Sequence, residues 1–162
     1  MCLSIENFRT KNEAQQWFNN PKITTKDVLV YKILDRSNIS PYQCFKYEQN
    51  KTYKIKEFSS EIYPDGIDEF VLEINQGLHS YKDKTSAEFL KNKFNNHDCN
   101  YDYRVVEMLV PKGTAYFENE TQIVSLKLLY ANENLNSYEK FIRYLKRLHK
   151  EIKLYFKYIN FK

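Results

Sequence analysis

Runs of apolar residues broken by polar ones at two different periods divide the chain. VLVYKIL (Val28 to Leu34) is β-branched and apolar on both faces apart from Lys32, the pattern of a central strand. YQCFKYE and KTYKIKE (Tyr42 to Glu57) alternate polar and apolar around Gln49 and Asn50 and predict a hairpin. EFVLEIN (Glu69 to Asn75), YRVVEMLV, TAYFEN and QIVSLKLLY predict further strands. Pro64-Asp65-Gly66 and Pro111-Lys112-Gly113 punctuate them, because Pro fixes φ and Gly accepts a positive one.

Helical spacing appears three times. In TKNEAQQWF, Thr10 and Glu13 stand at capping-box spacing, which predicts a short helix ending before Pro21. Thr85 and Glu88 repeat that spacing ahead of Ala87, Leu90 and Phe94, which share a helix face. From Asn136 onward, Phe141, Leu145, Leu148, Ile152, Tyr155 and Ile159 recur at intervals of four and three, predicting a long basic amphipathic helix. The sum is an α+β fold: a mostly antiparallel twisted sheet, two short helices and that long C-terminal helix. Residues 1–135 form the body. Residues 136–162 are expected to pack on it or to form the seam of a homo-oligomer.

Charge changes the picture at one place. Residues 136–162 carry eight Lys or Arg against two Glu, whereas residues 1–135 carry seventeen against nineteen Asp or Glu. With no cationic excess in the body, a fold-wide nucleic-acid surface is disfavoured. No apolar run approaches the roughly 20 residues that span a bilayer, and MCLSIENFRTKNE lacks a signal-peptide core, so the expectation is a cytoplasmic protein without a membrane partner. Cys2, Cys44 and Cys99 are too scattered for a disulfide framework or a metal knuckle. Cys2 keeps one reactive option: with the initiator Met removed, its thiol would sit beside a free α-amine able to act as base. His97, Asp98 and Cys99 are consecutive but have no second ligand cluster, so no metal is expected. Three glycines, Gly66, Gly77 and Gly113, cannot write a Walker loop or a dinucleotide fingerprint, and no cofactor is expected.

Candidate chemistry rests on polar residues that interrupt buried strands: Lys32, Glu107, and Ser125 with Lys127. An ionised group there costs several kcal/mol unless it is paired or opens on a cavity. Lys32 and Glu107 are therefore expected either to pair across the sheet or to line a pocket. The stretch GLHSY belongs with them, since alternation puts His79 and Tyr81 on one face and Ser80 on the other. Imidazole titrates near neutrality, which makes His79, with Tyr81, the candidate proton-transfer pair. Lys32, Ser80, Glu107 and Ser125 are the candidate ligand-binding residues. Each has a plainer structural reading: an internal ion pair, a snorkelling lysine stem, a satisfied core histidine.

The ordered series MCL, DVLVYK, SPYQCF, KTYKI, GLHSYKD, VEMLVPKGTAYF and IVSLKL resembles a family of small uncharacterised proteins of phages and bacteria, over roughly residues 1–130. The resemblance implies a phage or mobile-element accessory protein, of the kind that often acts as a counter-defence factor. In outline the chain is also similar to ADP-ribosyltransferases, with Lys32, Ser80 or Tyr81, and Glu120 at the matching positions. Lys32 replaces the residue usual there. Two functions follow as expectations: binding, with or without cleavage, of a nucleotide-derived small-molecule signal, or non-enzymatic inhibition of a host defence protein through the C-terminal helix. ADP-ribosyl transfer is the third, and whether the protein is an enzyme is left open.

Overall fold

VLVYKIL forms strand β3 (Val28–Leu34) of a computed structural model that describes residues 3–66, 69–97 and 102–131, all within one compact unit. It pairs along its whole length with β8 (Arg104–Val110) and on its other side with β7 (Leu78–Tyr81). Val30, Lys32 and Leu34 are buried on one face; on the other Ile33 is buried and Tyr31 partly so, while Leu29 stays exposed.

The segment after Thr121 closes the sheet. Strands β10 (Gln122–Ser125) and β11 (Lys127–Leu129) are halves of one bent strand. At the bend, the Leu126 amide donates to the Ala115 carbonyl, continuing the pairing with β9 (Ala115–Glu118). The Leu126 carbonyl accepts from the Ile55 amide, just beyond β4 (Thr52–Lys54), which pairs with β11. Strand β10 pairs with β7 and β11 with β8, and β3 lies between those two, so the ladder returns to the strand it started from. With β2 (Lys22–Ile23) at one end, the order is β2-β9-β10-β7-β3-β8-β11-β4, and every pairing is antiparallel.

Closure gives the sheet an inside. Val30, Leu34, Val106, Met108 and Leu128 fill it together with the rings of Tyr47, Tyr53 and Tyr130. Each such side chain contributes about 1.5–3 kcal/mol by leaving water. The outside is covered in two places. Helix α2 (Lys84–His97) lays Ala87, Leu90 and Phe94 on Ile33 and Tyr81. A second sheet, in the order β1 (Leu3–Phe8), β6 (Phe70–Gln76), β5 (Ser59–Pro64), covers β9 and β10 together with helix α1 (Lys11–Phe18). There Trp17 and Phe18 stack on Phe117 with ring centroids 4.9 and 5.5 Å apart.

Helix α1 begins as its sequence predicts: the Glu13 amide donates to Thr10 Oγ1 at 3.1 Å and the Arg9 amide to Glu13 Oε2 at 3.0 Å. Helix α2 does not. Its cap is Asp83, whose Oδ1 accepts from the Ser86 amide at 2.7 Å, ahead of the Thr85–Glu88 box.

Three larger expectations are corrected. The architecture is predominantly antiparallel β with two helices, in two sheets, one of them closed on itself, where a single twisted sheet was expected. The long C-terminal helix is not supported, since residues 136–162 lie outside the described residues, and the docking or oligomer role expected of it has nothing described to rest on. The hairpin over Tyr42–Glu57 does not form. Cys44 and Asn50 take φ of 48 and 63, and β4 pairs with the remote β11. No helix of the described residues is long and apolar enough to cross a membrane.

Candidate functional site

Among the described residues Lys32 is the only charged one that is buried, 4% exposed, on the inner face of β3 opposite Val106. The Tyr31–Tyr81 pairing makes Ser80 its cross-strand neighbour on β7. Its ammonium donates to the His79 backbone carbonyl at 2.5 Å and lies 4.9 Å from the centroid of the Tyr47 ring. No carboxylate pairs with it among the described residues. Burial disfavours the charged form and brings the amine down to about 7. A carbonyl and a π face compensate a cation only in part.

Two more polar side chains stand unsatisfied on that inner face. Ser80 Oγ and the Tyr47 hydroxyl are buried and make no hydrogen bond. Burial, and after it the neighbouring Tyr53 hydroxyl, push the Tyr47 phenol well above the usual tyrosine range. Leaving such groups unpaired costs about 1–3 kcal/mol each.

His79 and Tyr81 face the other way, as alternation requires. His79 stands opposite Val124, and both its ring nitrogens are buried without a hydrogen-bond partner. Burial first, then the charge of Lys32, depress its pKa to about 3; the nearby Asn75 carbonyl opposes this without completing a hydrogen bond. The ring is thus neutral wherever an imidazole would normally shuttle protons. Tyr81 packs under α2 and its hydroxyl donates to that of Tyr42; burial, followed by Tyr42, raises its pKa beyond the ordinary range.

The remaining sequence-derived candidates scatter. Glu107 is exposed and stands opposite Tyr31, on the face away from Lys32, so the expected Lys32–Glu107 pair does not form. Ser125 is buried at the strand bend, its hydroxyl donating to the Lys127 carbonyl at 2.9 Å. Glu120 is exposed in the turn between β9 and β10. Of the six named ligand or catalytic candidates, only Lys32 and Ser80 come together, and they do so on the inner face without His79, Tyr81 or Glu107.

A groove opens at the start of β7, two residues before Ser80. It has a volume of about 290 Å³, near the lower edge of the roughly 300–1,000 Å³ typical of small-molecule sites, and is lined by residues from Gln43 to Ile55 and from Asn75 to Leu78. Phe45, Tyr53, Ile55 and Leu78 give it an apolar wall; Gln43, Asn75 and Gln76 bring three carboxamides and Lys54 a cation. Gln43 Nε2 donates to the Gly77 carbonyl at 3.1 Å, tying the 40s segment to the start of β7. Phe45 is 44% exposed, and its ring meets Tyr47 and Tyr53 edge-on at 5.0 and 5.4 Å. Tyr47 therefore separates the groove from Lys32. None of these residues was a sequence-derived site candidate; for Gln43 to Ile55 the reason is the hairpin assignment over Tyr42–Glu57, which spread them over a regular sheet. The signal available was their density of aromatic rings. Comparison of the chain with protein-family models, with curated proteins and with solved structures finds no match.

Proposed function

We propose that the chain is a binding protein for a nucleotide-derived small molecule, held with its base in the groove between β4 and the start of β7. The observation that carries this reading is the lining itself: a half-exposed Phe45 ring available for stacking, next to Tyr53, with the carboxamides of Gln43 and Gln76 placed where they can read the edge of a planar heterocycle, while that of Asn75 is engaged by Ser59 and Glu61. Apolar walls with a few polar groups are the ordinary composition of such sites. The lining includes no carboxylate, imidazole or thiol that could serve as a general base or nucleophile, which favours binding over cleavage. In the phage setting that the motif series implies, the ligand is a defence signal and the protein acts by sequestering it.

Thermal shift and calorimetry with cyclic dinucleotides, cyclic ADP-ribose isomers and NAD test this. A binder should appear with a dissociation constant that Phe45→Ala weakens about 10- to 100-fold, the loss expected for one base-stacking contact. No shift with any of them, and no nucleotide released from the purified protein on denaturation, would overturn it.

A further inference from the structure

Between Tyr42 and Asn50 every residue is exposed except Tyr47, which is fully buried. This segment has no regular structure, and its backbone is held to its neighbours by bonds such as Tyr47 amide to Asn38 carbonyl and Ser40 amide to Phe45 carbonyl. One ring is thus the plug of an otherwise solvated flap. Behind the plug stand the Lys32 ammonium and Ser80 Oγ, side by side on adjacent strands, and the plug carries its own unpartnered hydroxyl inward.

The composition of this cluster is lopsided. An ammonium has three protons and Lys32 spends one on the His79 carbonyl. The two hydroxyls spend none. Three donor groups from three elements, one of them cationic, make a single hydrogen bond between them, to the His79 carbonyl. Apolar packing would ordinarily replace such a set, since an unpaired buried cation is among the costliest features a core can hold. The chemistry of such a set suits an anion.

We propose that Lys32, Ser80 and Tyr47 form an oxyanion-binding subsite behind the groove, which receives a phosphate group of the bound ligand when the Tyr47 flap swings aside. This rests on the groove reading for the rest of the ligand, but the subsite has its own chemistry. Donors arriving from two strands and a loop suit a tetrahedral oxyanion better than a planar carboxylate, which is commonly met by two parallel donors. The depressed affinity of Lys32 for its proton adds a signature: an arriving anion restores it, so binding above neutrality takes up a proton.

The test uses the full chain, inorganic phosphate and pyrophosphate, with acetate at matched ionic strength as the control. Phosphate or pyrophosphate should raise the melting temperature of the wild type and acetate should not. Lys32→Met should weaken phosphate binding at least tenfold and Ser80→Ala several-fold, both variants remaining folded by circular dichroism. Calorimetry at pH 8 in buffers of different ionisation enthalpy should register proton uptake with the wild type and none with Lys32→Met. An equal response to acetate, no response to either phosphate, or an unaltered response in Lys32→Met overturns the subsite. The groove is judged separately: Phe45→Ala keeps the phosphate response while losing nucleotide binding. If a nucleotide binds wild type and Lys32→Met equally, the subsite is wrong and the groove stands; if phosphate binds through Lys32 but no nucleotide does, the groove reading is wrong and the subsite stands.

Discussion

Lys32 and His79 are joined through the backbone: the ammonium donates to the His79 carbonyl at 2.5 Å, while the imidazole points to the opposite face of the sheet. The two most suggestive residues of the sequence are thus adjacent in space yet chemically separate. Each burdens the fold in its own way, and each burden can be measured.

Lys32 should lower stability at neutral pH. Its amine titrates at about 7 in the folded chain, against the ordinary lysine value of 10.5 once the chain unfolds into water. Between these values the unfolded chain binds more protons, so stability rises with pH across that window and levels off below it. Above about 10 the trend reverses, because Tyr47 and Tyr81 hold their protons when folded and release them when unfolded. Holding the amine so low costs roughly 3–5 kcal/mol at pH 7. Lys32→Met should recover about 2–4 kcal/mol, or about 5–15 °C in melting temperature, and flatten the rise between about pH 7 and 10. Denaturant titrations at a series of pH values check this; an unchanged slope in the variant would show that Lys32 finds an anion in the folded chain.

His79 is expected to be dispensable for folding. Both its nitrogens are buried without partners, so an apolar side chain of similar size removes an unpaired donor and an unpaired acceptor together. His79→Leu should leave stability at neutral pH unchanged or raise it by about 1–2 kcal/mol. It should also remove one acid-side loss: with a folded pKa of about 3 against 6.5, the unfolded chain binds the extra proton as pH falls below about 6.5. A denaturant midpoint lowered in the variant at neutral pH would show that the ring nitrogens find partners in the folded chain, and loss of ligand binding with the fold intact would restore His79 as a site residue.

Many of the strands were legible along the chain because apolar runs, turn residues and the Thr10 cap are local signals. The 28–34, 104–110 and 122–129 strands each announce themselves in this way. What local signals cannot carry is partnership. Alternation in KTYKIKE places Tyr53 correctly toward the core, but its ladder partner is Leu128, far along the chain, and closure depends on a bend at Leu126 that no turn residue marks. The site suffered most from this. Lys32 stood out as a charge in an apolar strand and Ser80 as the residue facing away from His79, whereas Tyr47 comes from a loop whose inward turn only the closed sheet defines.

The cap that was legible offers a simple control. Thr10→Ala removes the acceptor for the Glu13 amide and should cost about 1 kcal/mol, with Thr10→Ser restoring most of it. Chemical denaturation measures both; a neutral Thr10→Ala would mean that the reciprocal Arg9–Glu13 contact alone holds the first turn.

Gly77 should be required for its lack of volume, since its φ lies outside the left-handed region. A Cβ added there would collide with Val124 Cγ1, with Val124 Cβ and Phe58 Cδ1 next at 3.5 and 3.6 Å. Gly77→Ala should therefore destabilise by about 1–3 kcal/mol, the cost of overpacking a filled core. The collision is with one methyl group, so Val124→Ala removes its cause. The double variant should be more stable than the sum of the single losses predicts, with a coupling of about 1 kcal/mol or more. Val124 shares the outer face with His79, whereas the groove is walled by Leu78 on the inner face. Ligand affinity should accordingly survive in the double variant. A strictly additive cycle would place the strain in the backbone of residue 77, and a lost ligand would mean that the groove needs the close approach itself.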